Sequence, residues 1–145
     1  MQLQQRNKYL ETTIQTAKPA QLLIMLYDGA IRSCRAAIEA IKAKQITEAN
    51  VQLQKSQQII NEFIITLDQS SPLAEGLTQL YEYFKARLTE ANMTKTAEPA
   101  EEVLGYLVEL KETWIQAAKV VNQASAPAAG APYGSYTPST HTTVV

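Results

Sequence analysis

The stretch that decides the fold is QLLIMLYDGAIRSCRAAIEAI, residues 21–41. Its apolar residues recur with the helical period of about 3.6, and they cover two arcs of the helix instead of one. The first arc is mostly small (Leu22, Leu26, Gly29, Ala30, Ser33, Ala36, Ala37 and Ala40), and the second is larger (Leu23, Tyr27, Ile31, Cys34, Ile38 and Ile41). Such a helix is expected to contact two neighbours in a bundle or to offer one arc to a partner.

Gly29 lies inside this helix, although glycine costs about 1 kcal/mol in helix propensity relative to alanine. The small residues around it would let a neighbouring helix approach closely. We therefore predict that Gly29 serves close helix packing.

Three further segments show the helical period, and no segment alternates as a strand does. The predicted helices span about 19–44, 47–68, 72–92 and 99–122. Pro19 suits the first turn of its helix, and Thr47 is a plausible N-cap. Because short connections favour antiparallel neighbours, the sequence predicts an all-α fold, an antiparallel up-down four-helix bundle.

Two segments flank this predicted bundle of residues 18–123. Residues 1–17 carry Tyr9, Leu10 and Ile14 at the spacing of a short amphipathic turn, so we expect an N-terminal cap that lies against the bundle. Residues 124–145 are rich in Ala, Pro and Thr and have no charged side chain. A segment of this composition cannot offset its ordering entropy, so we expect a disordered tail.

Composition excludes several classes of protein. The formal net charge is −1 with acids and bases interspersed, which argues against nucleic acid as a partner. Neither a signal peptide nor a run long enough to insert into a membrane is present. Cys34 is the only cysteine, which fits a reducing compartment. We therefore expect a cytoplasmic protein.

The residues that four-helix bundles use for chemistry are missing or badly placed. The only histidine, His141, lies in the tail, so neither a di-iron centre nor a phosphotransfer histidine is possible on the helices. Cys34 lacks a neighbouring histidine and is best interpreted as a buried structural thiol. The sequence predicts no enzyme, no catalytic residue, no metal and no cofactor.

The charged residues of the helices have structural interpretations. Glu98, Glu101 and Glu102 crowd the first turn of helix 4, where carboxylates favour the helix dipole. Asp28 shares a polar arc with Arg32 and Arg35, which predicts a surface ion pair within the helix.

Five blocks, in this order and spacing, resemble the FliS family, the flagellin-specific export chaperones of bacterial flagellar assembly. The blocks are Tyr9 with Ile14, Ala17 and Pro19; LIMLYDGAI, residues 23–31; KSQQIINEF, residues 55–63; LYEYFKARLTEAN, residues 80–92; and EVLGYLVELKETWIQA, residues 102–117. The resemblance implies a client, the C-terminal segment of flagellin, that is disordered in the monomer and helical in the filament. It also implies delivery to the export gate component FlhA and a possible homodimer formed through the N-terminal region.

The resemblance also places functional residues. It assigns Tyr9 and Ile14 to the cap, with Leu10 beside them, and Gly29 to the small position of helix 1. Tyr81 and Tyr83 match an LYxY motif of the family. The choice of the remaining groove residues rests as much on the apolar flanks of the helices as on the resemblance. Ile60 and Leu67 also fall on the main apolar seam of helix 2, which consists of Ala49, Leu53, Ser56, Ile60, Phe63 and Leu67, so they are equally plausible as core residues. The predicted client groove consists of Ile60, Ile64, Leu67, Tyr81, Tyr83, Leu104, Val108 and Ile115.

An alternative from a different class stays open. Val51 and Ile65 lie on the face of helix 2 opposite its seam, where polar residues would be expected. The apolar residues that the core does not need could instead form an interface between copies of the protein. On this hypothesis the protein is a self-assembling adaptor or structural bundle.

Overall fold

Four helices form the described part of the protein. The computed structural model describes residues 19–125, with α1 over Pro19–Lys42, α2 over Ile46–Thr66, α3 over Ala74–Thr94 and α4 over Glu98–Ser125. The predicted cap, with Tyr9, Leu10 and Ile14, lies outside the described residues, as does the predicted tail from residue 126 onward. α4 extends two residues into the segment expected to be tail.

The helices pack as a ring in chain order. Each helix contacts the next one along the chain, and α1 closes the ring against α4. Because the connections are short, neighbours run antiparallel. The predicted fold class, an all-α up-down four-helix bundle, is confirmed.

α1 contacts two neighbours at once, which explains its two apolar arcs. The small arc faces α2, where the Ser33 and Ser56 hydroxyl oxygens are 2.7 Å apart. Tyr27 and Cys34 of the larger arc are fully buried in the core. Burial raises the pKa of the Cys34 thiol to about 11, as the interpretation of a structural thiol requires.

Gly29 faces α2, but the packing does not require a glycine. A methyl group added at Gly29 would meet the Ile59 Cδ1 atom at 3.5 Å, an ordinary van der Waals contact. The close packing at this interface therefore comes from the neighbouring small residues and not from the missing side chain of Gly29.

An aromatic chain crosses the core between three helices. The Tyr27 and Phe63 rings stack with centroids 4.4 Å apart, and Phe63 lies 5.1 Å from the Tyr81 ring. The Tyr27 and Tyr81 hydroxyl oxygens are 2.7 Å apart in a buried hydrogen bond. Burial raises the pKa of both hydroxyls, so both stay protonated.

The connection between α1 and α2 differs from the prediction. The Gln45 N–H donates to the Ala40 carbonyl, and the Lys44 N–H donates to the Ile41 carbonyl. This pair of bonds is a Schellman motif, and it places Lys44 in the left-handed region at φ 62°. α2 then begins at Ile46 with Gln45 as its N-cap, so the prediction of Thr47 as the N-cap was wrong.

Candidate functional site

Two residues of the predicted client groove are core residues. Ile60 is 0% exposed and Tyr81 is 1% exposed. Ile60 belongs to the seam that α2 turns toward the ring, and Tyr81 bonds to Tyr27 across it. Neither side chain offers surface to a partner, so the structure corrects their placement and both leave the candidate site.

The three predicted residues of α4 do share one surface. Leu104, Val108 and Ile115 recur at intervals of four and seven, on the side of α4 that faces α1. Leu104 and Ile115 are half-buried and Val108 is exposed. We call these three side chains the α4 stripe.

An ion pair joins the side of α4 that carries the α4 stripe to α1. Lys111, on the same side of α4, places its Nζ atom 2.5 Å from an Asp28 carboxylate oxygen on α1. The prediction that Asp28 pairs with an arginine of its own helix was therefore wrong. Periodicity along α1 could not show that a lysine of α4 lies closer.

The residues predicted on α2 lie elsewhere. Ile64 and Leu67 are half-buried at the end of α2, and α2 lies diagonally across the ring from α4. The predicted groove residues therefore do not form one continuous groove along α2 and α4. Neighbouring helices alternate in direction, so α2 and α4 run parallel and their last turns lie at the same end of the bundle. Ile115 and Leu67 both lie toward that end.

That end of the bundle brings together many large apolar side chains that are not fully buried. It is formed by the start of α1, the end of α2, the start of α3 and the last turns of α4. Its large apolar side chains are half-buried (Leu22, Leu23, Ile24, Met25, Leu26, Leu67, Leu77 and Ile115) or exposed (Leu73 and Val120). We call this set the apolar end.

The apolar end was missed as a unit at the level of sequence, although its signal is visible. The run LLIM, residues 22–25, is apolar at every position, and a helix buried along one or two arcs does not need that. Full burial in α1 starts only at Tyr27. The excess therefore marks the place where the core stays uncovered by the other helices.

Tyr83 belongs to a separate polar cluster between α3 and α4. Its hydroxyl donates to the Glu102 carboxylate at 2.8 and 2.9 Å, and Arg87 Nε donates to the same carboxylate at 2.6 Å. The Tyr83 and Arg87 bonds hold the pKa of Glu102 below its ordinary value. Tyr106 lies beside this cluster, stacked 5.7 Å from the Phe84 ring. Glu102 thus ties α3 and α4 together. The first turn of α4 carries only Glu98 and Glu101, so the prediction that Glu102 also lies in that turn was wrong.

Within residues 19–125, no three His, Cys, Asp or Glu side chains are grouped so that they could hold a metal ion. None of the described helices is long and apolar enough to cross a membrane. Of the described surface, the apolar end and the α4 stripe remain as candidate sites, and their chemistry suits the binding of an apolar segment.

Comparison with known proteins gives one consistent family. Residues 2–121 match the family described as "Flagellar protein FliS". The "Flagellar secretion chaperone FliS" of Bacillus subtilis is 33% identical over 75% of this chain and 82% of its own length. The protein of the same name from Salmonella typhimurium is 34% identical over 74% and 82% of the two chains. The "Flagellar secretion chaperone FliSB" of Pseudomonas aeruginosa is 33% identical over 72% and 85%.

Proposed function

The chain belongs to the FliS family of flagellar proteins, whose relatives are secretion chaperones, and we propose that this member binds the C-terminal segment of flagellin in the bacterial cytosol. By covering that segment it keeps flagellin from polymerising too early. It then aids delivery of the subunit to the flagellar type III export apparatus through the gate component FlhA.

The observation that carries this proposal is the apolar end. An amphipathic segment presents apolar side chains at intervals of three and four residues, and it needs a groove lined by apolar atoms to bury them. The half-buried leucines at the start of α1 and the exposed Leu73 and Val120 supply such a lining. The α4 stripe continues this lining away from the apolar end through Ile115, Val108 and Leu104.

The predicted cap is close enough in sequence to the start of α1 to reach the apolar end. α1 begins at Pro19, at the apolar end, so the preceding residues enter the bundle there. Ile14 precedes Pro19 by five residues, a reach of at most about 17 Å for an extended chain. We therefore propose that Tyr9, Leu10 and Ile14 cover the apolar end until a client displaces them. The same residues could cap a second copy in a homodimer.

Coupled folding and binding suits an export chaperone. A client segment that becomes helical on the chaperone loses conformational entropy, and this cost moderates the affinity. Moderate affinity allows release at the export gate. Because Gly29 lies on the buried side of α1 toward α2, it has no direct part in this binding.

The experiment is isothermal titration calorimetry with a peptide of the host flagellin's C-terminal segment. Leu73→Asp and Val120→Asp each place a charge on the apolar end, and we expect each to weaken binding by roughly tenfold or more. Met93→Asp is the matched control, because Met93 is an exposed apolar residue at the opposite end of the bundle. Equal losses in all three variants would refute the assignment of the apolar end.

The cap is tested in the full chain with Tyr9→Ser and Ile14→Ser. If the cap competes with the client, the double variant binds the peptide more tightly than the unsubstituted protein does. Weaker binding by this variant would show instead that Tyr9 and Ile14 contact the client themselves.

A further inference from the structure

The outer face of α2 carries a second regular pattern besides its buried seam. Residues spaced alternately by four and three point away from the core, and every one of them is exposed: Thr47, Val51, Gln54, Gln58, Asn61 and Ile65. We call these residues the outer stripe. Val51 is 48% exposed and Ile65 is 65% exposed, although both are large and apolar.

This spacing is the one by which a helix packs along another helix. The bundle already uses the opposite side of α2 for its core, through Ala49, Leu53, Ser56, Ile60 and Phe63. The fold of one chain accounts for Asn61, whose side-chain oxygen accepts a hydrogen bond from Lys85 of α3 at 3.3 Å. It gives no reason for the exposure of Val51 and Ile65 near the two ends of the stripe, and a partner helix on this side of α2 would bury both.

Two charges beside the outer stripe lack partners. Lys55 and Glu62 lie along its edge on the side of α1, both are exposed, and neither forms an ion pair with any residue between 19 and 125. Seven residues apart on one helix, they are separated by about 10 Å along the axis and cannot pair with each other. The nearest charge on the same edge, Glu48, accepts a hydrogen bond from Gln52.

We propose that α2 packs antiparallel against α2 of a second copy of this chain, about a twofold axis that passes beside Gln58. This arrangement places Val51 opposite the partner subunit's Ile65 and Lys55 opposite the partner subunit's Glu62. By symmetry each pair occurs twice. A single twofold axis therefore pairs apolar residues with apolar residues and opposite charges with each other.

A parallel arrangement does not use these residues. It would set Lys55 and Glu62 against the other edge of α2 in the second copy, where Asn50 and Gln57 lie. Those amides already bond within their own bundle, Asn50 to Asn92 at 2.8 Å and Gln57 to Thr89 at 3.1 Å. Charge complementarity therefore selects the antiparallel pairing.

The dimer is expected to be weak. Only Val51 and Ile65 of each copy bury apolar surface in it, and central contacts are between amides. We expect dissociation constants on the order of 100 µM, as for a small transient interface. This interface uses neither the apolar end nor the α4 stripe, so it goes beyond the proposed function and can be tested without flagellin.

Charge reversal tests the proposal by sedimentation velocity of the full chain from low micromolar to about 500 µM. Lys55→Glu and Glu62→Lys each place like charges together, and each is expected to abolish the dimer. An equimolar mixture of the two variants, and the double variant, both restore opposite charges and should dimerise again. Glu109→Lys, an exposed reversal on α4, should change nothing. A dimer that withstands both single reversals, or no dimer in the unsubstituted chain, overturns the proposal.

Cross-linking tests the axis independently. Gln58→Cys places a thiol on the twofold axis, within disulfide reach of its own copy, so mild oxidation should give a covalent dimer. Gln54→Cys is the control, because its two copies would be about 12 Å apart along the helices. Cys34 does not interfere, since it is fully buried. Equal cross-linking at both positions indicates parallel helices, and cross-linking at neither position indicates another interface; both results overturn the proposal.

Discussion

Replacement of Gly29 by alanine separates two explanations of this glycine. If glycine is needed for close helix packing, an added methyl group destabilises the bundle. The structure predicts the opposite, because the added carbon would lie 3.5 Å from Ile59 Cδ1, without overlap. Alanine is favoured over glycine within a helix by about 1 kcal/mol, and the partly buried methyl adds a few tenths more.

We therefore expect Gly29→Ala to raise the free energy of unfolding by about 1 kcal/mol, or the melting temperature by roughly 4 °C. The assay is urea unfolding followed by circular dichroism at 222 nm, with the slope of the free energy against urea unchanged. Gly105→Ala is the matched control. It lies within α4, and nothing lies within 4 Å of its added carbon, so it reports helix propensity alone.

Comparison of the two variants decides between the explanations. Similar gains in both support the structure-based reasoning. A loss of stability in Gly29→Ala beside a gain in Gly105→Ala would refute it. That result would mean that the added methyl group overlaps with Ile59, so that α1 and α2 lie closer together than the 3.5 Å distance indicates.

Three further predictions follow from the turns, the core and the polar cluster. Lys44→Gly should raise the free energy of unfolding in urea by about 1 kcal/mol, because Lys44 has a positive φ of 62°. Lys95→Gly, at φ 54°, should raise it by less, because this change also removes the hydrogen bond from the Lys95 ammonium to the last turn of α3. An equal rise in both variants would show that this hydrogen bond does not stabilise the turn. Tyr27→Phe and Tyr81→Phe should each cost about 1–2 kcal/mol by leaving one buried hydroxyl unpaired, whereas the double variant should cost clearly less than the sum, and strict additivity in this cycle would show that the hydroxyls are not coupled. The pKa of the Glu102 carboxyl is lowered in the folded chain from its ordinary value of 4.5. The stabilisation by the Glu102 carboxylate is therefore present above pH 4.5 and is lost as the pH falls below it. Glu102→Gln should make the free energy of unfolding fall less steeply below about pH 4.5, and an unchanged pH dependence there would contradict the assignment.

The candidate site was only partly predictable from sequence. Leu104, Val108 and Ile115 follow from their spacing along α4, because residues that recur at helical intervals share a face wherever the helix packs. Tyr81 could not be placed in this way. Its burial depends on a hydrogen bond to Tyr27, which is 54 positions away in sequence. Ile60 recurs with Leu53, Ser56 and Phe63 at the spacing of a bundle seam, so the sequence already indicated that it lies on the enclosed side of α2, and its place in the predicted client groove was wrong.

The sequence by itself determined the fold class, the approximate helices and the family, since these depend on periodicity and on the order of short blocks along one chain. Only the tertiary structure decided that Asp28 pairs with Lys111, and that the start of α1, the end of α2, the start of α3 and the last turns of α4 bring apolar side chains together at one end of the bundle. Periodicity shows which residues share a face. Which neighbour that face meets is decided by packing among all four helices, and no single helix encodes it.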